Sequence, residues 1–249
     1  MQTSYDLYAS VGMAGQLADT GFHNVMSYNA ETAIPLGRGL AKGASESTVR
    51  LPSRNVATLL FDADFVASNL INGTFNGVAM SQVTYASSHA ATFAAVIAAI
   101  AAVTNIDAVA GTGRAIIITT TDGSPLTVAS VAVTAGSTQA GSTTTYSTSD
   151  MILGVSMQQH TLRQDSSGVV QYAQYDTVST LSQGRIYVPV EETVVAGDPV
   201  YVRTMVDSTK PRGSFRNDAD SGNAVLVANA RYTQGAATNG LAVVEFNLP

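Results

Sequence analysis

Along the final stretch of the chain, "NGLAVVEFNLP", successive side chains alternate in position. Leu241, Val243 and Glu245 fall on one side of an extended strand, and Ala242, Val244 and Phe246 on the other. The second set is wholly apolar, so it is expected to face a core and leave Glu245 in solvent. Segments of this strand-like kind dominate the sequence, punctuated at short intervals by Gly, Asn and Asp. "RAIIITTT", the pair Asp122-Gly123 and "PLTVASVAVT" predict a β-hairpin, because Asp-Gly accepts the positive φ of a primed turn. "HTLRQDSSGVVQYAQYDTVSTL" predicts another, turning near Ser167-Gly168. In "GRIYVPVEETVVAGDPVYVR", Gly197-Asp198-Pro199 divides two extended runs, since proline's fixed φ favours a turn there.

One segment breaks the pattern. In "SSHAATFAAVIAAIAAV", Phe93, Val96, Ile97 and Ile100 stand at helical spacing, with Ser87 or Ser88 available as the N-cap. The opposite side is mostly alanine rather than charge, which predicts a helix covered on more than one face. From Asn72 to Asp150 the charged residues reduce to Asp107, Arg114, Asp122 and Asp150, and the order becomes strand, helix, then strands. This predicts an α+β domain with one Ala-rich helix at 72–150, inserted into a β-rich domain made of 1–71 and 151–249.

The opening "MQTSYDLYASVGMAGQLADTG" fits neither pattern. It has no continuous apolar run and no clear period, yet it carries Tyr5, Leu7, Tyr8, Val11, Met13 and Leu17. The first basic residue is Arg38, so a secretory signal is not indicated and the protein is expected to stay where it is made. The longest charge-free apolar stretch, "AAVIAAIAAV", falls short of the roughly 20 residues that cross a bilayer, so no membrane partner is expected. The chain has no Cys, which excludes disulfides, thiolate metal sites and thiol catalysis.

Twelve basic against eighteen acidic residues give a net charge of -6, and the basic ones form no stripe that follows a phosphate backbone. Nucleic acid is therefore not an expected partner. Lysine occurs only at Lys42 and Lys210, while there are ten tyrosines. Lys is depleted from protein interfaces and Tyr and Arg are enriched there, which suits a surface that meets other protein. A β-rich fold using Thr, Ser and Tyr on its strands gives the same composition, and both readings stand.

Candidate chemistry is sparse. Asp19-Thr20-Gly21 and Asp220-Ser221-Gly222 have the form of the two loops with which aspartic proteases share one proton between carboxylates. Their lead-ins, "GQLA" and "RNDA", are not the apolar strands such loops leave, and the chain lacks two homologous halves, so turn-forming Asp-Xaa-Gly is the stronger reading. His23, His89 and His160 are isolated and lack metal-site spacing. "GRGLAKG" lacks the ending of a phosphate loop, and its glycines suit a sharp turn. No Ser nucleophile elbow is present. The expectation is a protein that is not an enzyme, with no catalytic residues, metal or cofactor.

Several stretches together carry a family likeness. They are the opening segment, "SYNAETAIPLGRGLAKG" followed by "VRLPS", "GRIYVPVEETVVAGDPVYVR", and "GSFRNDADSGNAVLVANARY" leading to "GLAVVEFNLP". In these the chain resembles the structural cement proteins of tailed bacteriophages, which decorate and reinforce the capsid. The likeness covers roughly the first 60 and last 100 residues, and the stretch from Asn72 to Asp150 departs from the compact family pattern. The resemblance implies a mainly β, barrel- or sandwich-like cement domain on the outer surface of the capsid, made in the host cytoplasm. It implies binding to the major capsid protein and to neighbouring copies of itself, as dimer or trimer, with no catalysis and no cofactor.

An irregular aromatic arm then has a use. It can lie across a neighbour, pairing with a sheet edge while Tyr5, Tyr8, Met13 and Leu17 fill pockets, its ordering entropy offset by burial on the partner. The alternative is that the arm closes the bottom of its own barrel. For the inserted domain a second role is a surface-displayed module for glycan or a host surface. Such a site needs aromatic platforms, and the insert has only Tyr85 and Tyr146 and no Trp.

Overall fold

The computed structural model of the chain describes residues 12–159, 162 and 170–248. It is mainly β and divides into two compact units, one from Met1–Pro52 and Asp150–Pro249, the other from Ser53–Ser149. Unit one begins with β1 (Asn24–Ala30), β2 (Ile34–Pro35), β3 (Gly39–Lys42) and β4 (Thr48–Arg50).

Unit two contains β5 (Val56–Phe61), β6 (Leu70–Phe75), β7 (Val78–Ala79), β8 (Val83–Thr84), α1 (His89–Ala101), β9 (Ile106–Ala110), β10 (Ala115–Thr120), β11 (Val128–Thr134) and β12 (Ser142–Ser147). One sheet runs β12-β5-β10-β9 and a second β11-β6-β7, with β8 also on β6. Leu59, Phe61, Ile71, Phe75, Ile116 and Ile118 belong to their shared core. Unit two thus starts at Ser53, earlier than the loss of charge near Asn72 suggests. β5 lies between β10 and β12, and the charges of Asp62 and Asp64 fall in the loop after it, where Asp64 pairs with Arg114.

The predicted hairpin across Asp122-Gly123 is a turn, but its flanking strands do not pair. β10 pairs with β5 and β9, whereas β11 pairs with β6 in the other sheet. Thr120 Oγ1 donates to Ser124 O at 2.7 Å, and the fully buried Leu126 carries the chain into the core on the way across. A buried leucine in the connection outweighs the local turn preference.

The helix forms where the period placed it, with Ser88 as N-cap accepting from Ala91 N at 3.2 Å. Thr92, Val96 and Ile100 are buried, and Phe93 and Ile97 half-buried. Ala90, Ala91, Ala94 and Ala98 are exposed, so among the described residues the expected cover on more than one face is not present. Thr92 sits inside because its hydroxyl is satisfied twice, donating to Ser88 O at 2.8 Å and accepting from Ala86 N at 2.9 Å. Ser88→Ala is expected to cost about 1 kcal/mol, read as a lower chemical denaturation midpoint with unchanged slope.

Unit one resumes with β13 (Ile152–Ser156), β14 (Gln171–Tyr172), β15 (Thr177–Pro189), β16 (Pro199–Arg203), β17 (Phe215–Arg216), β18 (Ala224–Gln234) and β19 (Leu241–Asn247). The path β1-β4-β3-β13-β15 closes on itself, because β15 also pairs with β1. This five-strand barrel leaves no free edge in its ring. β15 is long enough to serve twice: Thr177–Gln183 pairs within the barrel, and Gln183–Pro189 pairs with β19 to begin the sheet β15-β19-β18-β16-β17. The hand-over falls at Gly184, whose φ of 124° suits glycine, and a Cβ there would stand 3.0 Å from His23 Cβ.

On β19, Ala242, Val244 and Phe246 are buried as expected, and Glu245 is partly exposed. Gly197 has φ of 94° in the turn before β16, where Asp198 accepts from Val195 N at 3.0 Å. The turn expected near Ser167-Gly168 lies outside the described residues.

Candidate interaction surface

The base of the opening arm is held by its own chain. Gly15 N donates to Tyr187 O at 2.8 Å, Tyr187 N to Gln16 O at 2.9 Å and Ala18 N to Arg185 O at 2.9 Å. Leu17 bridges Ile186 and packs against the core of unit one. Leu17 is thus tied to its own domain by the three main-chain hydrogen bonds of its neighbours and by a core contact. Met13 is 56% exposed. The two share the wall of a cavity of about 540 Å³ with Met157 and Gln158. Tyr5 and Tyr8 lie outside the described residues.

A second depression was not foreseen. β1 supplies Met26 and Tyr28 on one face, β13 supplies Ile152 and Leu153 with Met151 just before it, and β18 supplies Val225 to Asn229, around a cavity of about 360 Å³. Met26, Met151 and Leu226 are each about half exposed, at 48%, 59% and 50%. Large apolar side chains gathered in one exposed depression mark interaction sites, and methionine adapts to irregular partners. Asp150 at its edge is neutralised by Arg50 at 2.6 Å, so the depression carries no free carboxylate there. No sequence motif flags these residues, because each is a single apolar side chain on a different strand.

The Asp-Xaa-Gly triplets are turns held by different arginines. Asp19 accepts from Gly21 N at 3.1 Å and pairs with Arg185 at 3.3 Å. Asp220 pairs with Arg203 at 2.7 Å and Arg216 at 3.2 Å. Burial acts to raise the Asp220 carboxyl, but the Arg203 hydrogen bond and the charges of Arg216, Arg203 and Lys210 outweigh it and hold it below the usual carboxylate range. A proton-sharing dyad needs two carboxylates in contact, whereas Asp19 and Asp220 are each held by different arginines.

Unit two offers little to a sugar. The Tyr146 ring lies under the Arg54 guanidinium at 3.6 Å, with its hydroxyl donating to Val128 O at 3.1 Å, and Tyr85 packs against the core. Among the described residues no group of His, Cys, Asp and Glu is arranged to hold a metal, and no helix is long and apolar enough to cross a membrane.

A family model described as structural cement protein (E217 gp24/Pam3 gp6) matches residues 81–247, most of the chain. The chain belongs to this family. It is thus a structural cement protein of bacteriophage capsids, a family of structural proteins rather than enzymes. The match begins within unit two and runs through its helix, so the family description reaches into the region whose departure from the compact pattern had set it apart. A chain in the solved capsid of Myoviridae phage XM1 is similar to this cement protein at 12% identity, with a TM-score of 0.49, covering 99% of this chain and 97% of that one. No curated sequence matches it.

Proposed function

We propose that this cement protein binds the outer surface of the phage capsid, bridges major capsid protein subunits and stabilises the head. Membership in the cement family and the depression formed by Met26, Met151 and Leu226 support the reading, and the depression is the observation that carries it. A ligand that binds only the assembled shell stabilises it by its own binding free energy, about 2.7 kcal/mol per site at a hundredfold excess over Kd. Contacts that span subunits add avidity, because each later contact forms at high effective concentration. In this arrangement Leu17 anchors the arm to its own domain, and Met13, Tyr8 and Tyr5 continue onto a neighbour.

The test uses heads lacking the protein, to which purified protein is added and occupancy measured. Met151→Asp with Leu226→Asp is expected to weaken the affinity read from occupancy by roughly a thousandfold, since buried anchors each contribute about 2 kcal/mol or more, while the circular dichroism spectrum stays unchanged. Wild-type occupancy by this variant rejects the depression as the contact. Removal of residues 1–11 tests the arm separately: the expected result is lower occupancy with an unchanged unfolding temperature, and full occupancy would refute the arm's role.

A further inference from the structure

Arg38 stands immediately before β3, its main chain clamped from both sides. Arg38 N donates to Ser156 Oγ at 2.9 Å, and Ser156 N donates to Arg38 O at 2.9 Å. Gly213 makes room for the side chain, since a Cβ there would stand 3.0 Å from Arg38 Cβ. The guanidinium donates to Ser214 Oγ, a neutral acceptor, and its buried Nε has no partner among the described residues. A buried donor left without an acceptor calls for an explanation.

Arg38 lines a cavity of about 200 Å³ with Lys210, Thr209, Ser214, Asn239 and Glu191. Glu191 is not free to neutralise Arg38, because its two oxygens accept from Arg203 Nε at 2.6 Å and Arg216 Nη1 at 2.8 Å. Lys210 sits in a tight turn closed by Asp207 N to Lys210 O at 3.1 Å and Lys210 N to Asp207 O at 2.7 Å, and its ammonium has no ion pair among the described residues. Two cations thus border one cavity with no direct ion pair among the described residues, although Glu191 lines the cavity and the Lys210 charge reaches Asp220. Burial pushes the Arg38 guanidinium below its usual value, and the charge of Glu191 only partly offsets this.

The geometry points to this cavity as a carboxylate-binding site, with the Arg38 guanidinium and the Lys210 ammonium holding the ligand's oxygens. A planar fork of donors matches a carboxylate, and hydrogen bonds in which both partners are charged are the strong ones. The ligand is either a small free acid or an acidic side chain of a neighbouring protein.

Acetate titrated into the isolated full-length protein at constant ionic strength tests this without any capsid. Amide NMR shifts confined to Lys210, Ser214, Asn239 and their neighbours are expected to saturate in the millimolar range. Acetamide, the neutral analogue, should leave them unmoved, and Lys210→Gln should weaken acetate about tenfold. Shifts that never saturate, that acetamide reproduces, or that Lys210→Gln leaves unchanged overturn the assignment. The acetamide arm needs no variant, so a misfolded Arg38→Gln protein would not blur the result. A glutamate side-chain mimic with blocked termini separates the sources: tighter binding than acetate supports a protein carboxylate, and equal binding supports a small free acid.

Discussion

Glu191→Ala is expected to destabilise unit one by about 3–5 kcal/mol, the range for removing one member of a buried ion pair. Glu191 is 5% exposed and accepts from two guanidiniums that are themselves buried, Arg203 at 0% and Arg216 at 4% exposure. Truncation leaves both cations in a low-dielectric interior with only the partner carboxylates nearer the surface. At about 2–4 °C per kcal/mol for a chain of this size, the unfolding temperature falls on the order of 10 °C. Calorimetry reads it, and a shift under about 2 °C shows that water or Asp220 already compensates. Asp218→Ala, which removes a 62% exposed partner of Arg216, is the control and should cost at most about 1 kcal/mol.

The same network sets an acid limit. The Asp220 carboxyl is held below its unfolded value, so its contribution is fully present above the ordinary Asp pKa of about 3.9 and is lost as pH falls through the folded value. Asp220→Asn should flatten the fall in stability below about pH 4. An unchanged acid slope would assign that loss to other carboxylates.

Gly154→Ala is expected to cost about 3 kcal/mol, at the upper end of overpacking penalties. Gly154 lies on β13 where the barrel closes against β15, and an added Cβ would stand 2.2 Å from Leu181 O and 2.8 Å from Thr180 Cγ2. The first of these is backbone, so relief requires β13 and β15 to part. Gly197→Ala meets no atom within 4 Å and carries only the strain of its φ of 94°, about 1–2 kcal/mol. Urea unfolding followed by tyrosine fluorescence compares them, and a cost at Gly154 no larger than at Gly197 would mean that the barrel seam yields.

Much of the local structure was readable in advance because its causes are local. Alternation along β19 follows from the strand repeat, the start of α1 from a serine whose oxygen reaches a free amide, and the Asp19 triplet from a carboxylate that turns back on its own backbone. The stretches near both termini carry the resemblance to the cement family, and the family match over residues 81–247 agrees with it. In the arm, Met13 is exposed, and Leu17 is tied to a strand far away in sequence, a pairing that no local pattern announces.

What the sequence alone determined here was periodicity, capping and turn chemistry, all of them properties of neighbours along the chain. Only the tertiary structure decided that β10 and β11 part into different sheets, that β5 belongs to unit two, and that β15 serves both barrel and sheet. It also gathered Met26, Met151 and Leu226 into one depression and set Arg38 beside Lys210. The physical reason is that core burial and long-range strand pairing choose among partners that local preference leaves equivalent, and the surfaces available for binding are fixed by that choice.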